Sequence, residues 1–302
     1  MCGIAGYFTK SDNLATPVGK VMIGMLTALE CRGPDSAGVA LYNSPNTDDF
    51  ILQIKLGEDK PTPTVLDNLI ANISQLSKPT AIATTGVYLR LTIDGSLDPD
   101  VVTSVVESVD SSVEVVSMGK RLEIIKQTGS PKRIDSDFHI SDFKGSHAIG
   151  HTRMSTESQV DLSHSQPFWA HGHNDIAIVH NGHITNYHKL RRQYEQQGVR
   201  FYTENDSEII AVYVALGMSC GLSLEEVLEA ALVDLDGSFS CLVSTANAMG
   251  FVKDPFAHKP LLFGETEEFV AVATEEIAFR PLFDRNFRVR EAGAREIRVW
   301  QN

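Results

Sequence analysis

Apolar residues along this chain fall into short buried-type runs at both ends, with helical periodicities set between them. Ile4 to Phe8 is such a run, of strand type, closed by the polar turn Thr9 to Asn13. Thr16 and Pro17 then open a helix, because proline at a first helical position forfeits no intrahelical bond. Val18, Val21, Met22, Met25, Leu26 and Leu29 recur behind it at helical spacing, as a core face. The helix stops near Glu30, Cys31 to Gly38 is a turn-rich loop, and Val39 to Tyr42 returns as a strand.

From about Phe50 to about Val116 the pattern changes character. Ile51 to Ile54 predicts a strand and Pro63 to Leu76 a helix with Val65, Leu66, Leu69, Ile70, Ile73 and Leu76 on one face. Ala81 to Ile93 is β-rich, Asp98 to Val109 helical, and Val113 to Val116 a strand. A β-α-β-α-β order with short connections is that of a small α+β module. Residues 50–117 are therefore read as an insertion within one domain spanning 1–302. It carries no catalytic motif, so packing or partner docking is its expected role.

The remainder opens with a predicted hairpin, Met118 to Gln127 around Gly119-Lys120, followed by a polar loop, Gly129 to Asp142. Ser146 to Arg153 and Ile176 to His180 predict strands, the second ending in Asn181-Gly182, a dipeptide that readily takes positive φ. Helices are expected at Tyr187 to Gln197 before Gly198, at Ser207 to Met218, and after the capping box Ser223 to Glu226 as far as Leu232. Strands then follow at Ser238 to Ser244, Met249 to Lys253, Leu261 to Phe263 and Phe269 to Thr274. A helical turn, Glu275 to Phe279, and a closing strand, Arg295 to Trp300, complete the order.

Composition narrows the partners more than the fold. A formal net charge of −13 argues against nucleic acid or an anionic membrane surface, both of which rely on clustered lysine and arginine. Cys2, Cys31, Cys220 and Cys241 show no CxxC spacing, so a reducing compartment is expected, with the last three as buried structural thiols. Met1 is followed by no basic start with an apolar stretch, and no apolar run approaches membrane-spanning length. A cytoplasmic, unanchored chain is the expectation.

Chemistry centres on Met1-Cys2-Gly3-Ile4-Ala5-Gly6. Cys2 is small enough for an aminopeptidase to remove Met1 and leave it first in the chain. A cysteine with a free α-amino group carries nucleophile and base together, since the amine is partly neutral near its ordinary pKa of about 7.7–8.0 and can take the thiol proton. Seven of the ten histidines lie between His151 and His188, but no HExxH-like helical pair supports a metal site among them.

Four further stretches accompany Cys2: Arg32-Gly33-Pro34-Asp35-Ser36-Ala37-Gly38, Gly150-His151-Thr152-Arg153-Met154-Ser155-Thr156, His180-Asn181-Gly182 and Asn205-Asp206-Ser207-Glu208. Together with Met1-Cys2-Gly3-Ile4 they resemble the class II, N-terminal-nucleophile glutamine amidotransferases, over roughly residues 1–50 and 118–300. The resemblance implies an α+β fold, a four-layer αββα sandwich of two stacked antiparallel sheets, with Cys2 opening a strand at their edge. It implies that Cys2 attacks the amide of L-glutamine and that the Asn181 side chain and the Gly182 backbone N–H hold the oxyanion. Arg153 would take the substrate α-carboxylate through its guanidinium fork and Asp206 the α-ammonium. Arg32 matches an arginine beside the nucleophile, where its charge favours thiolate and a neutral amine. His151, His180 and Thr156 fall among the residues grouped around glutamine, the two histidines as structural partners. Met154 and Glu157 stand where glucosamine-6-phosphate synthase has an aromatic residue and a histidine, so the closing contacts of the loop Thr156 to Pro167 do not carry over.

Over its whole length the chain is similar to the amidotransferase subunits of split glutamate-synthase-like systems, N-methylglutamate synthase foremost. That implies a glutaminase supplying ammonia to a separate synthase subunit in a hetero-oligomer. FMN and an iron–sulfur cluster would lie on the partner, with no cofactor and no metal in this chain. Two rivals stand beside it: a non-catalytic regulatory or assembly subunit that keeps the fold, and an N-terminal-nucleophile hydrolase of another amide.

Overall fold

The computed structural model describes residues 2–10, 16–44, 48–58, 61–154, 161–284 and 286–302. Strand β1 (Gly3–Thr9) is buried along its whole length. Helix α1 (Val18–Ala28) lays Val21, Met22, Met25 and Leu26 against it in one apolar cluster, as the spacing predicts. Cys31 sits in the short 3-10 turn Glu30–Arg32, which faces outward, so it is exposed rather than a buried thiol. Strand β2 (Ser36–Asn43) starts within the predicted loop, because Ser36, Ala37 and Gly38 pair with Arg153, Thr152 and His151.

Residues 50–119 form a separate sheet with two helices: β3 (Phe50–Lys55), α2 (Pro63–Leu76), β4 (Thr80–Thr85), β5 (Tyr88–Ile93), α3 (Pro99–Glu107) and β6 (Glu114–Gly119). The β-rich run Ala81 to Ile93 is two strands, not one, because Gly86 at φ +60° reverses the chain. The order β4-β5-β3-β6, with all neighbours antiparallel, is a split β-α-β arrangement. Leu52, Ile54, Leu89 and Leu91 pack beneath Leu69 and Ile73 of α2 and Val102 and Val106 of α3.

The chain then leaves this sheet for the main one. Strand β7 (Leu122–Thr128) pairs with β2, not with β6, so the predicted hairpin is a turn between two sheets. Asp175 pins that turn, its carboxylate accepting from the backbone N–H of Lys120, Arg121 and Leu122 at 3.1, 2.8 and 2.9 Å. The predicted polar loop contains helix α4 (Pro131–Phe138), which buries Pro131 and Ile134. Next come β8 (Gly145–Arg153), β9 (Phe168–Trp169) and β10 (Ala177–Ile184). Asn181 and Gly182 lie inside β10, opposite Ser240 and Phe239, and not at a turn. Helices α5 (Tyr187–Gln196), α6 (Asp206–Ser219) and α7 (Leu224–Asp234) follow, the last with both hydrogen bonds of the Ser223–Glu226 capping box. Cys220 caps the end of α6 and is exposed, whereas Cys241 is fully buried. Strands β11 (Gly237–Ser244), β12 (Ala248–Lys253), β13 (Leu262–Glu265), β14 (Phe269–Ala273), β15 (Arg290–Glu291) and β16 (Ile297–Gln301) close the fold.

Two antiparallel sheets result, in the orders β15-β13-β14-β1-β8-β2-β7 and β16-β12-β11-β10-β9. Ile4, Phe8, Ile149, Val179, Leu242 and Phe251 fill the space between them in one cluster. Helix α1 covers the outer face of the first sheet, and α6 and α7 that of the second. This is the expected four-layer α+β sandwich, with one correction: β1 is the central strand of its sheet rather than an edge strand. Among the described residues no helix is long and apolar enough to cross a membrane.

Candidate functional site

Because β1 and β8 run side by side, Cys2 and Arg153 emerge at the same end of the first sheet. Gly3 pairs with Thr152, and the next residue on each strand lies at the rim. Cys2 is half-buried, with Sγ 4.0 Å from the Met154 carbonyl oxygen. Its own carbonyl accepts from Arg32 Nε at 3.2 Å, and the same guanidinium is ion-paired through Nη1 with Glu275. One residue on, Ile4 N–H donates to Thr274 Oγ1 at 2.7 Å and Ile4 O accepts from Thr274 N–H at 3.0 Å. The pair Thr274-Glu275 thus grips the start of β1 through backbone and side chain together.

Arg153 is 5% exposed, and burial holds its pKa below the ordinary arginine value, against the pull of Cys2, Asp161 and Asp35. It remains a cation at any pH the fold meets.

The second sheet supplies the opposite wall. Asn181 is buried, and its Nδ2 has no hydrogen-bond partner among the described residues. A buried amide donor left unpaired is costly, so its retention marks a place where an acceptor is expected. Gly182 follows at φ +152°, where a Cβ would stand 2.2 Å from the Ser238 carbonyl oxygen and 2.6 Å from Phe239 Cα. Only glycine fits there.

Asp206 is the first residue of α6, whose N-terminus favours a carboxylate. Its Oδ2 accepts from Ile184 N–H at 2.8 Å and lies 3.4 Å from His183 Nδ1. The neighbouring His180 ring is held by Ser207 Oγ at 2.9 Å from Nδ1, and burial keeps its pKa below the ordinary value despite Asp206. His151 is pushed down to about 3, first by burial and then by Arg153 and His180. Both rings are therefore neutral near pH 7.

These walls enclose a cleft of about 730 Å³, a size usual for small-molecule sites. Cys2, Arg153, His180, Asn181, Gly182 and Asp206 line it together. Arg32 lies behind Cys2, and His151 lies between the sheets beneath the cleft. Thr156 lies outside the described residues.

The structure also brings in residues that sequence reasoning passed over. Gln166 bridges β10 to α6: Oε1 accepts from His180 N–H at 2.6 Å, while Nε2 donates to His180 O at 3.0 Å and to Ser207 Oγ at 3.1 Å. His164 lines the cleft, its Nδ1 2.7 Å from Asp161 Oδ1. Thr274 and Glu275 are the others. Ser207 lies inside Asn205-Asp206-Ser207-Glu208, and His164 and Gln166 lie inside the loop Thr156 to Pro167, both stretches already singled out, whereas Thr274 and Glu275 belonged to no motif. A thiol, an unpaired amide donor, a guanidinium and a carboxylate in one cleft can hold a zwitterionic amino acid while attacking its side-chain amide.

Comparison with known proteins gives the same direction. A family model described as a glutamine amidotransferase domain matches residues 151–281. A protein of Methanothermobacter thermautotrophicus provisionally named glutamine amidotransferase is 36% identical over the full length of both chains. The glutamine amidotransferase-like protein GlxB of Rhizobium meliloti is 34% identical over 100% of this chain and 99% of its own length. Among solved structures, the glutamine phosphoribosylpyrophosphate amidotransferase of B. subtilis superposes with a TM-score of 0.64 at 20% identity, over 100% of this chain and 47% of its own, a likeness of fold.

Proposed function

The chain belongs to the glutamine amidotransferases, of the class II type, and from that premise we propose that it hydrolyses L-glutamine to glutamate and ammonia with Cys2 as nucleophile. Once Met1 is gone, the Cys2 α-amine takes the thiol proton and the thiolate attacks the glutamine Cδ. The oxyanion that forms is received by Asn181 Nδ2 and the Gly182 N–H. The protonated amine then gives its proton to the leaving nitrogen, ammonia departs, and a γ-glutamyl thioester remains on Cys2. Water, deprotonated by the same amine, resolves the thioester to glutamate and restores the thiol. Arg153 binds the α-carboxylate and Asp206 the α-ammonium. Arg32, with Glu275 behind it, holds the Cys2 carbonyl. His151 and His180 shape the base of the site as neutral rings. If Met1 were retained, Cys2 would have no amine and the site would be silent.

The observation that carries this reading is the buried, unpartnered Asn181 amide in the same cleft as the Cys2 thiol. The test is ammonia release from glutamine, with and without proteins co-purified from the native cell, alongside labelling by 6-diazo-5-oxo-L-norleucine. Cys2→Ala should abolish both, and glutamine should protect the wild type from labelling. Labelling that glutamine does not slow would point to another amide as substrate. Ammonia release unchanged by Cys2→Ala would sink the reading.

The ammonia is delivered to a separate synthase subunit of the glutamate-synthase type, of which N-methylglutamate synthase is the model. That partner would carry FMN and an iron–sulfur cluster. Native co-purification with mass spectrometry checks the assignment, and a partner without flavin or cluster would overturn it.

A further inference from the structure

Residues 163–166 touch four different parts of the molecule in succession. Ser163 Oγ accepts from Lys55 Nζ of β3 at 3.0 Å and donates to Glu114 Oε2, at the start of β6, at 2.5 Å. His164 lines the cleft, with both its backbone N–H and its Nδ1 on Asp161, at 2.8 and 2.7 Å. Ser165 Oγ donates to the Asp161 carbonyl at 2.6 Å and lies 2.9 Å from the Ser36 hydroxyl, at the head of β2. Gln166 holds His180 and Ser207, as described above. Lys55 is only 5% exposed and is also paired with Glu58, so an ammonium buried in the inserted module is aimed at this segment.

We infer that the inserted module is a positioning element for the glutamine cleft, acting through Lys55 and Glu114 on Ser163 and thereby fixing His164 in the cleft wall. The inference rests on the glutaminase reading of that cleft. The hydroxyl is the one link that both receives a proton from Lys55 and gives one to Glu114, so both charged groups orient it at once. Hydrogen bonds to charged groups are the stronger kind, and a buried charge left without its partner forces rearrangement around it. Cys2 stands at the head of β1, and Asn181 and Gly182 lie within β10, all held by the pairings of their own sheets with no bond to Ser163. Loosening it should therefore weaken substrate binding more than the chemical step.

The test compares wild type with Ser163→Ala, Lys55→Met and Ser163→Thr by glutaminase kinetics and thermal unfolding on the full chain. Expected for Ser163→Ala and Lys55→Met is a rise of roughly tenfold in KM for glutamine with kcat changed by less than about twofold. Ser163→Thr, which keeps the hydroxyl, should restore KM. Glu114→Gln, which leaves an acceptor in place, is a milder variant with a smaller rise in KM, useful should Ser163→Ala fold poorly. An unchanged KM in Ser163→Ala and Lys55→Met overturns the inference. So does a fall in kcat that only tracks loss of folded protein, since that is a structural role. If wild type hydrolyses no glutamine, the glutaminase reading fails and takes this inference with it, whereas active wild type with indifferent variants overturns the inference alone.

Discussion

On the β1 side of the cleft, the groups that hold Cys2 are paired, although Arg32 Nη2 keeps no partner among the described residues: the Cys2 carbonyl is held by Arg32, Arg32 by Glu275, and Ile4 by Thr274 at both backbone atoms. On the β10 side, Asn181 keeps a buried amide with no partner among the described residues, and Gly182 sits at a φ that other residues avoid. The difference separates two requirements of acyl transfer. A nucleophile must be held still, and bonding that holds it also stabilises the fold. An oxyanion site must be polar before any charge arrives, and that arrangement costs stability in the free enzyme.

The largest expected effect attacks the unpaired side. Asn181→Ala should lower kcat by about 10²–10³, the range found when one oxyanion donor is removed, with a smaller change in KM. Because the lost amide made no internal bond, the urea unfolding midpoint should not fall. A mutant that loses activity and stability in parallel would show that Asn181 is a structural residue and would break the contrast.

Glu275 probes the other wall, with a smaller loss expected. Glu275→Ala leaves Arg32 without its counterion beside the Cys2 carbonyl, and kcat should drop roughly tenfold while KM for glutamine holds. Here stability should fall as well, by up to about 1 kcal/mol, since the Glu275 side chain is partly exposed and its ion pair screened. Glu275→Gln, which can still accept one hydrogen bond from Arg32, should recover part of kcat. Equal kcat for all three chains would release Glu275 from any part in holding the nucleophile.

How far the sequence reached follows the same division. Period-2 and period-3.6 patterns announced β1, α1, β8, α6 and the late strands, because burial on one face is written locally. Cys2, Arg153, Asn181, Gly182 and Asp206, drawn from separate motifs, do share one cleft. What failed was decided by partners far along the chain. The strand predicted to end at His180 runs on through Asn181-Gly182 to Ile184, because β11 pairs across it. Gly119-Lys120 has hairpin chemistry, yet Asp175 diverts the chain between sheets. Glu275 and Ser163 carry no local signature at all, because their meaning lies in Arg32 and in Lys55. Cys31 and Cys220 were misjudged because a cysteine at the end of a helix can face outward as easily as inward.

The gentlest test works through buried histidines, of which His151 lies beneath the cleft. Burial pushes His147, His151 and His171 down to about 3 each. Their unfolded value is near 6.5, so below that pH the unfolded chain binds protons that the folded chain refuses. The sign follows: their contribution is complete above about pH 6.5 and is lost progressively as pH falls toward 3. At pH 5.5 each should cost about 1 kcal/mol of stability. Urea unfolding at pH 7.5 and pH 5.5 reads the difference, and His151→Gln, which stays neutral at both, should reduce it by about 1 kcal/mol. Since His151 lies between the Arg153 strand and the Asn181 strand and stays neutral in the folded chain through this range, the cleft should hold its shape until the chain unfolds. Glutamine binding by the Cys2→Ala protein should then persist up to the unfolding transition. Binding that weakens well ahead of that transition would show that His151 takes a proton within the folded cleft.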